Sequence, residues 1–295
     1  MTAVVPAVAM SCLGYVAAAR QLRRRGDRWP HRRDAAVCTG GAVLITSLAA
    51  PWATWPPFTG HMTTHLGIGM IAPLLFVLGR PVTLALRALP VGPRRLFLSC
   101  VRSRPAALLV WPPVAALVHI AGLWAVYRTP LMAAAHHRPW LHTLVSAHLV
   151  ASGLLFTFAV LALDPLRHRA GFTLRGGAML AASAAHGILA KSLYATGPPG
   201  TSFAAADLRM ASYVMYYGGD VVGIALAVLL GHQWYAAEGR ALVRARRAPR
   251  AHTCPVPLPR SDSLAGYPAN FVPGIRRSHV VRDSHRAQRR GGTHR

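Results

Sequence analysis

Residues 61–79 read HMTTHLGIGMIAPLLFVLG. Beyond His65 the stretch is almost wholly apolar, and its length suits a helix crossing the hydrocarbon core of a bilayer. Two imidazoles and a thioether stand at its start. On a helix, the spacing of His61 and His65 places both on one face, with Met62 beside them. Other runs of the length a spanning helix needs, about 20 mostly apolar residues, fall at about 3–19, 35–53, 106–126, 141–163, 176–195 and 211–232. The fold class is therefore all-α: a polytopic membrane helix bundle of about seven transmembrane helices.

Composition agrees. The chain has 295 residues, of which 53% are hydrophobic and only 14% charged; soluble domains carry about a quarter charged residues. The net charge of +25 does not read as a nucleic-acid surface, because the arginines sit in blocks between apolar runs and not along one amphipathic face. No CxxC pair exists among the four cysteines, which excludes the usual zinc-knuckle and thiol–disulfide motifs. The first run lacks a basic leader and a small-residue cleavage site, so it reads as a retained helix. The second and sixth runs are rich in Ala and Gly, as in helices that pack on neighbours more than on lipid.

The arginines give a direction. Residues 20–33, 80–104 and 167–175, together with the segment after 236, hold 29 of them, against Arg128, Arg138 and Arg209 in the alternate connections. Cytoplasmic connections retain Arg and Lys, so the N-terminus is expected outside and the C-terminus inside. Trp52, Trp55, Trp124 and Trp140 then fall at the outer interface, where aromatic belts form. Two parts are expected: residues 1–248 as the membrane domain and 249–295 as a basic, disordered cytoplasmic tail, since that segment lacks the apolar surface to fold alone.

With that direction, His61 and His65 lie at the outer end of the third span. His142 lies near the surface end of the fifth span, and His148 about 9 Å deeper. His119, His136 and His137 read as interfacial polar residues. Deeper still stand His186, Lys191 and Asp220. Ionisable groups inside a membrane are costly and mark a site or a pathway. Lys191 and Asp220 are expected to neutralise one another, or Asp220 to accept the N–H of a ligating imidazole. Imidazole with thioether and without thiolate suits copper better than zinc. The expected metal ligands are His61, His65, His148 and His142, with Met62 as the nearest sulfur; Met132 and Met210 lie at the ends of neighbouring helices. Such binding weakens as pH falls, because proton and metal compete for the ring nitrogen.

The stretch HMTTHLGIGMIAPLLFVLGRPVTLALRALP resembles the paired-histidine signature of the multi-helix cytochrome c oxidase assembly factors of the CtaG family. Further likeness runs through HLVASGLLFTFAVLALDP at 148–165, GILAKSLYA at 187–195, DLRMASYVMYYGGDVVGIALAVLL at 207–230 and QWYAAEGRALVRARR at 233–247. The resemblance covers roughly residues 35–247. It implies a non-enzymatic protein of the cell membrane, multi-pass, whose partners are oxidase subunits and the lipid bilayer and which supplies copper to the oxidase. It carries His61, His65, His148, Asp207 and Asp220 over by position. Two departures stand out: Ser146 occupies a place where family members often have a further histidine, and the acidic residues of the exit segment are thinned to Glu238. A copper or cation permease and a haem-binding membrane protein are the competing readings. No nucleophile–base set and no phosphate-binding glycine pattern points to catalysis.

Overall fold

The computed structural model describes residues 4–49, 54–164 and 169–247, and every regular element among them is helical. The chain divides into two units, Met1–Ala245 and Arg246–Arg295. The expected tail at 249–295 and Trp52 lie outside the described residues.

Among the described residues, four helices are long and apolar enough to cross a membrane: Val4–Arg24, Pro57–Leu78, Pro139–Leu161 and the greater part of the last helix, Ala205–Arg244. A fifth results if Pro112–Arg128 and Leu131–His137, which meet at 73°, form one broken span. Two further long helices, α2 (His31–Ala49) and α11 (Phe172–Ala195), are the Ala- and Gly-rich ones and are less apolar. The remaining elements are α1 (Val4–Arg24), α3 (Pro57–Leu66), a π-helical turn (Gly67–Ile71), α4 (Ala72–Leu78), α5 (Pro81–Ala88), α6 (Val91–Val101), α7 (Arg104–Leu109), α8 (Pro112–Arg128), α9 (Leu131–His137), α10 (Pro139–Leu161) and α12 (Ala205–Arg247).

The histidine-bearing span is one continuous helix, α3–π–α4, and its register changes at GIGMI. π turns insert one extra residue per turn and recur at functional sites. Glycine permits this one. A Cβ at Gly67 would collide with Ser47 of α2, and one at Gly153 of α10 would collide with the Gly69 carbonyl. Small residues thus let α2 and α10 close on the widened turn from two sides, as in helix packing inside membranes.

Two helix starts in the bundle are capped from far along the chain. At α3, Pro57 occupies the first turn, and Asp207 of α12 accepts the N–H groups of Phe58 and Thr59 at 2.9 Å each, plus the Thr59 hydroxyl at 2.6 Å. At α5, Arg80 takes the left-handed conformation (φ 53°), Pro81 follows, and Asp164 accepts the Thr83 N–H at 2.8 Å and the Thr83 hydroxyl. Each carboxylate satisfies donors that a helix start leaves without intrahelical partners. Burial pushes the Asp164 carboxyl above the ordinary range, against the lowering influence of the Thr83 hydrogen bonds and of Arg80.

Two boundaries differ from the sequence reading. Residues 80–104, expected as a connection, hold two short helices, α5 and α6, and a third, α7, begins at Arg104. Prolines begin two of the three, Pro81 and Pro105, and Pro90 precedes α6; each ring is tolerated in the first turn because no N–H is needed there. Arg175, taken as a loop arginine, belongs to the first turn of α11, is buried, and donates to the Val160 and Leu161 carbonyls at 3.1 and 3.3 Å. A cation at the end of α10 both completes those carbonyls and meets the negative end of the helix dipole.

Candidate functional site

Histidines gather where α3 begins, α8 ends and α10 begins. A small cavity of about 30 Å³ lies there, lined by His61, Thr64 and His65 of α3, Met132 and His136 of α9, and His142 and Ser146 of α10. Three of the four expected histidine ligands, His61, His65 and His142, therefore face one space. His136, taken as an interfacial residue, joins them. Its Nδ1–H donates to the Met132 carbonyl at 2.8 Å, which fixes the tautomer and leaves the Nε2 lone pair available to a ligand.

Two expected ligands point elsewhere. Met62 is fully buried in the apolar core with Phe58, Leu123 and Met215, so the thioether facing the cavity is that of Met132. His148 packs against α8, its Nε2 so close to Gly122 that a Cβ there would overlap it. The helical turn explains this. At about 100° per residue, His142, Ser146 and Leu149 return to one face of α10, while His148 falls about 240° from His142. His148 therefore stands on another face of α10 than His142.

Tyr127 of α8 is the residue the sequence reading missed. It is fully buried, its hydroxyl lies 3.1 Å from His61 Nε2, and its ring meets the rings of both His61 and His65 edge-on, with centroids 5.8 and 6.0 Å away. A tyrosine near the end of an apolar span looks like part of an interfacial belt. Only the packing shows it set against the histidine pair. Asp207, carried over by resemblance alone, has both its carboxylate oxygens occupied by the start of α3, one turn before His61. It positions the histidine helix and accepts no imidazole N–H.

Deeper in the bundle, the His65 ring lies beside that of His186 on α11, with centroids 6.1 Å apart and planes at 22°. Both ring nitrogens of His65, and Nε2 of His186, are buried without a hydrogen-bond partner. His186 also lines a second cavity, of about 260 Å³, together with His119, Ser183, Met179 and Asp220. His119 is buried rather than interfacial: Nδ1 lies 3.2 Å from the Ser152 hydroxyl, and its ring stacks on Phe156 with centroids 5.5 Å apart.

Lys191 and Asp220 do not pair. Packing sets Ser183 by Gly223, His186 by Gly219 and Gly187 by Tyr216, an antiparallel register of α11 and α12. That register puts Asp220 at the level of His186 and Lys191 about five residues, roughly 7 Å, away. The ammonium instead sits 5.1 Å from the centre of the Tyr216 ring, a cation–π contact. Among the described residues, no group of three or more His, Cys, Asp or Glu side chains is gathered closely enough to hold a metal ion. The donors surround a space without closing on it.

Residues 13–237 match the cytochrome c oxidase caa3 assembly factor family. The chain belongs to that family. The match takes in every helix that contributes to either histidine cavity. With the apolar helices described above, membership makes this a membrane protein. Among curated proteins, the chain is similar to uncharacterized proteins of Mycobacterium bovis and Mycobacterium tuberculosis, each 34% identical over 183 residues, covering 59% of this chain and 28% of the relative. It is also similar to an uncharacterized protein of Mycobacterium leprae, 28% identical over 256 residues, covering 80% of this chain and 39% of the relative. The chain thus spans well under half the length of these relatives. No solved structure matches it.

Proposed function

We propose that this assembly factor holds copper at the extracytoplasmic face of the plasma membrane and hands it to a nascent subunit of the oxidase. The observation that carries the proposal is the convergence of His61, His65, His136 and His142, from three helices, on one small cavity with a thioether in its wall. Imidazole and thioether are copper-selecting donors, and no carboxylate competes for a hard cation in that lining. Family membership supports the client class, and the arginine asymmetry supports an outward facing of this end of the bundle.

Copper is cargo in this account, and each residue has a task in its handling. His136 offers Nε2 in a tautomer already set by Met132. His142, exposed at the start of α10, is the donor a client can reach first. His61 must exchange its contact with the Tyr127 hydroxyl to bind the ion, so the loaded site competes with an internal hydrogen bond. Neutral imidazoles add no charge to a poorly hydrated pocket, which keeps it inexpensive to hold empty. A donor set that surrounds the cavity without closing on it suits transfer, not storage.

The test is genetic. Deleting the protein under copper-limited growth should lower the copper content and activity of the oxidase, and added copper should restore part of both. Normal oxidase copper in the deletion strain would remove the delivery reading. A permease is the second reading, favoured by the continuation of histidines from His65 to His186 and His119 inside the bundle. Copper flux into proteoliposomes distinguishes it.

A further inference from the structure

We infer that His65 and His186 form a second, inner station for a monovalent soft cation, held in a line between two ring nitrogens. The inference deepens the copper reading above, in that it supposes the same cargo, but it rests on a different pair of side chains.

The geometry comes first. With metal–nitrogen bonds of ~2 Å and ring nitrogens ~1.1 Å from the ring centre, two imidazoles sharing one ion in a line have centroids roughly 6 Å apart, whatever the angle between their planes. The His65 and His186 rings are 6.1 Å apart, with planes at 22°. No hydrogen bond joins the rings, and three ring nitrogens of the pair are buried without a partner. Neutral imidazole offers one N–H and one lone pair, and buried polar groups without partners are rare because they carry an uncompensated desolvation penalty. A cation between the rings would use one lone pair from each.

The surroundings agree. His65 and His186 are 1% and 6% exposed. His186 is seated by a glycine: a Cβ at Gly219 would stand 2.5 Å from its Cε1 and 2.8 Å from Nδ1. The His65 edge made by Nδ1 and Cε1 faces Gly69, within the π turn, at the ordinary contact distance of 3.5 Å from a Cβ there. Both rings are thus received by glycine-bearing backbone. A carboxylate stands on the same side as His186, since Asp220 lines the cavity that His186 lines. Two neutral nitrogens in a line select a d¹⁰ monovalent ion; divalent ions take four or more ligands, and no third His, Cys, Asp or Glu is in place here. His65 lines the outer cavity as well, but its single lone pair serves one ion at a time; with both stations filled it goes to the inner ion, and His61, His136 and His142 hold the outer one.

The experiment is anaerobic titration of the full-length protein in nanodiscs with cuprous ion, against a chromophoric chelator. Wild type should bind two equivalents. H186N should bind one, and H136A/H142A should bind one. In H136A/H142A the remaining ion should show the X-ray absorption edge of two-coordinate cuprous copper with nitrogen neighbours only. G219A keeps both rings but crowds His186; it should weaken the inner equivalent at least tenfold while the outer one is unchanged, which guards against a folding failure in H186N. One equivalent in wild type, kept in H186N and lost in H136A/H142A, would overturn the inner station and leave the outer site standing. One equivalent lost in H186N and kept in H136A/H142A would support the inner station and overturn the outer one. No cuprous ion in wild type would overturn both.

Discussion

Removing the Asp207 carboxylate should loosen the start of α3 and, through it, the histidine pair. Asp207 is 6% exposed and accepts two backbone N–H groups and a hydroxyl, all from Phe58 and Thr59. In Asp207→Ala the two N–H groups stay buried with no acceptor. Each such orphan costs about 1–3 kcal/mol, so the variant should lose on the order of 2–5 kcal/mol. Asp207→Asn separates charge from geometry. Its carbonyl can keep Thr59, but its NH₂ then faces the Phe58 N–H, donor against donor. The loss should be about half that of alanine, roughly 1–3 kcal/mol for one missing charge-assisted bond. The assay is thermal unfolding in a single detergent, read by intrinsic fluorescence, with cuprous affinity measured on the same samples. Melting temperatures should fall in the order wild type, Asn, Ala, and affinity at the outer cavity should fall with them, because His61 lies one turn from the capped residues. Unchanged melting in Asp207→Ala would refute the cap as the element that holds this helix.

Other expectations follow from single contacts. Ser146→His adds an imidazole to the lining of the 30 Å³ cavity and should raise its cuprous affinity at least tenfold, measured by chelator competition. Gly153→Ala drives a methyl into the Gly69 carbonyl and should destabilise by about 1–3 kcal/mol, as overpacking does, with a lower melting temperature. Asp164 gives a pH dependence. Its folded-state value is raised, so the protonated form is favoured by folding; that contribution is present below the ordinary carboxylate value and is lost as pH rises through the folded-state value. Asp164→Asn keeps the acceptor for Thr83 and removes the ionisation, so its stability relative to wild type should improve as pH rises out of the ordinary carboxylate range toward neutral. A pH-independent difference in melting temperature would contradict this.

What sequence makes legible here is depth, and what it hides is azimuth and long-range capping. The span beginning at His61 was visible because apolar length is a one-dimensional property, and the shared face of His61 and His65 follows from a local period. His148 stands on another side of α10 than His142, since its facing depends on how α10 rolls against α8 at Gly122. Met62 and Met132 exchange roles for the same reason: one turns into the core, and the other is carried to the cavity by the 73° break between α8 and α9. Asp207 entered the sequence reading through the resemblance alone, and Asp164 was not singled out in it. Their service to helix starts about 148 and 81 residues away in sequence cannot be read from local pattern. Glycine was the underused signal. Gly67, Gly122, Gly153 and Gly219 each mark a place where a side chain or a carbonyl presses on backbone, and two of those side chains are histidines.

The convergence of donors is tested most directly by copper binding to purified single-histidine variants. H61A, H136A and H142A should each lose affinity for the outer equivalent, by tenfold or more, while H148A binds as wild type does. Wild-type binding in H136A and H142A together with a loss in H148A would contradict the cavity as the copper site.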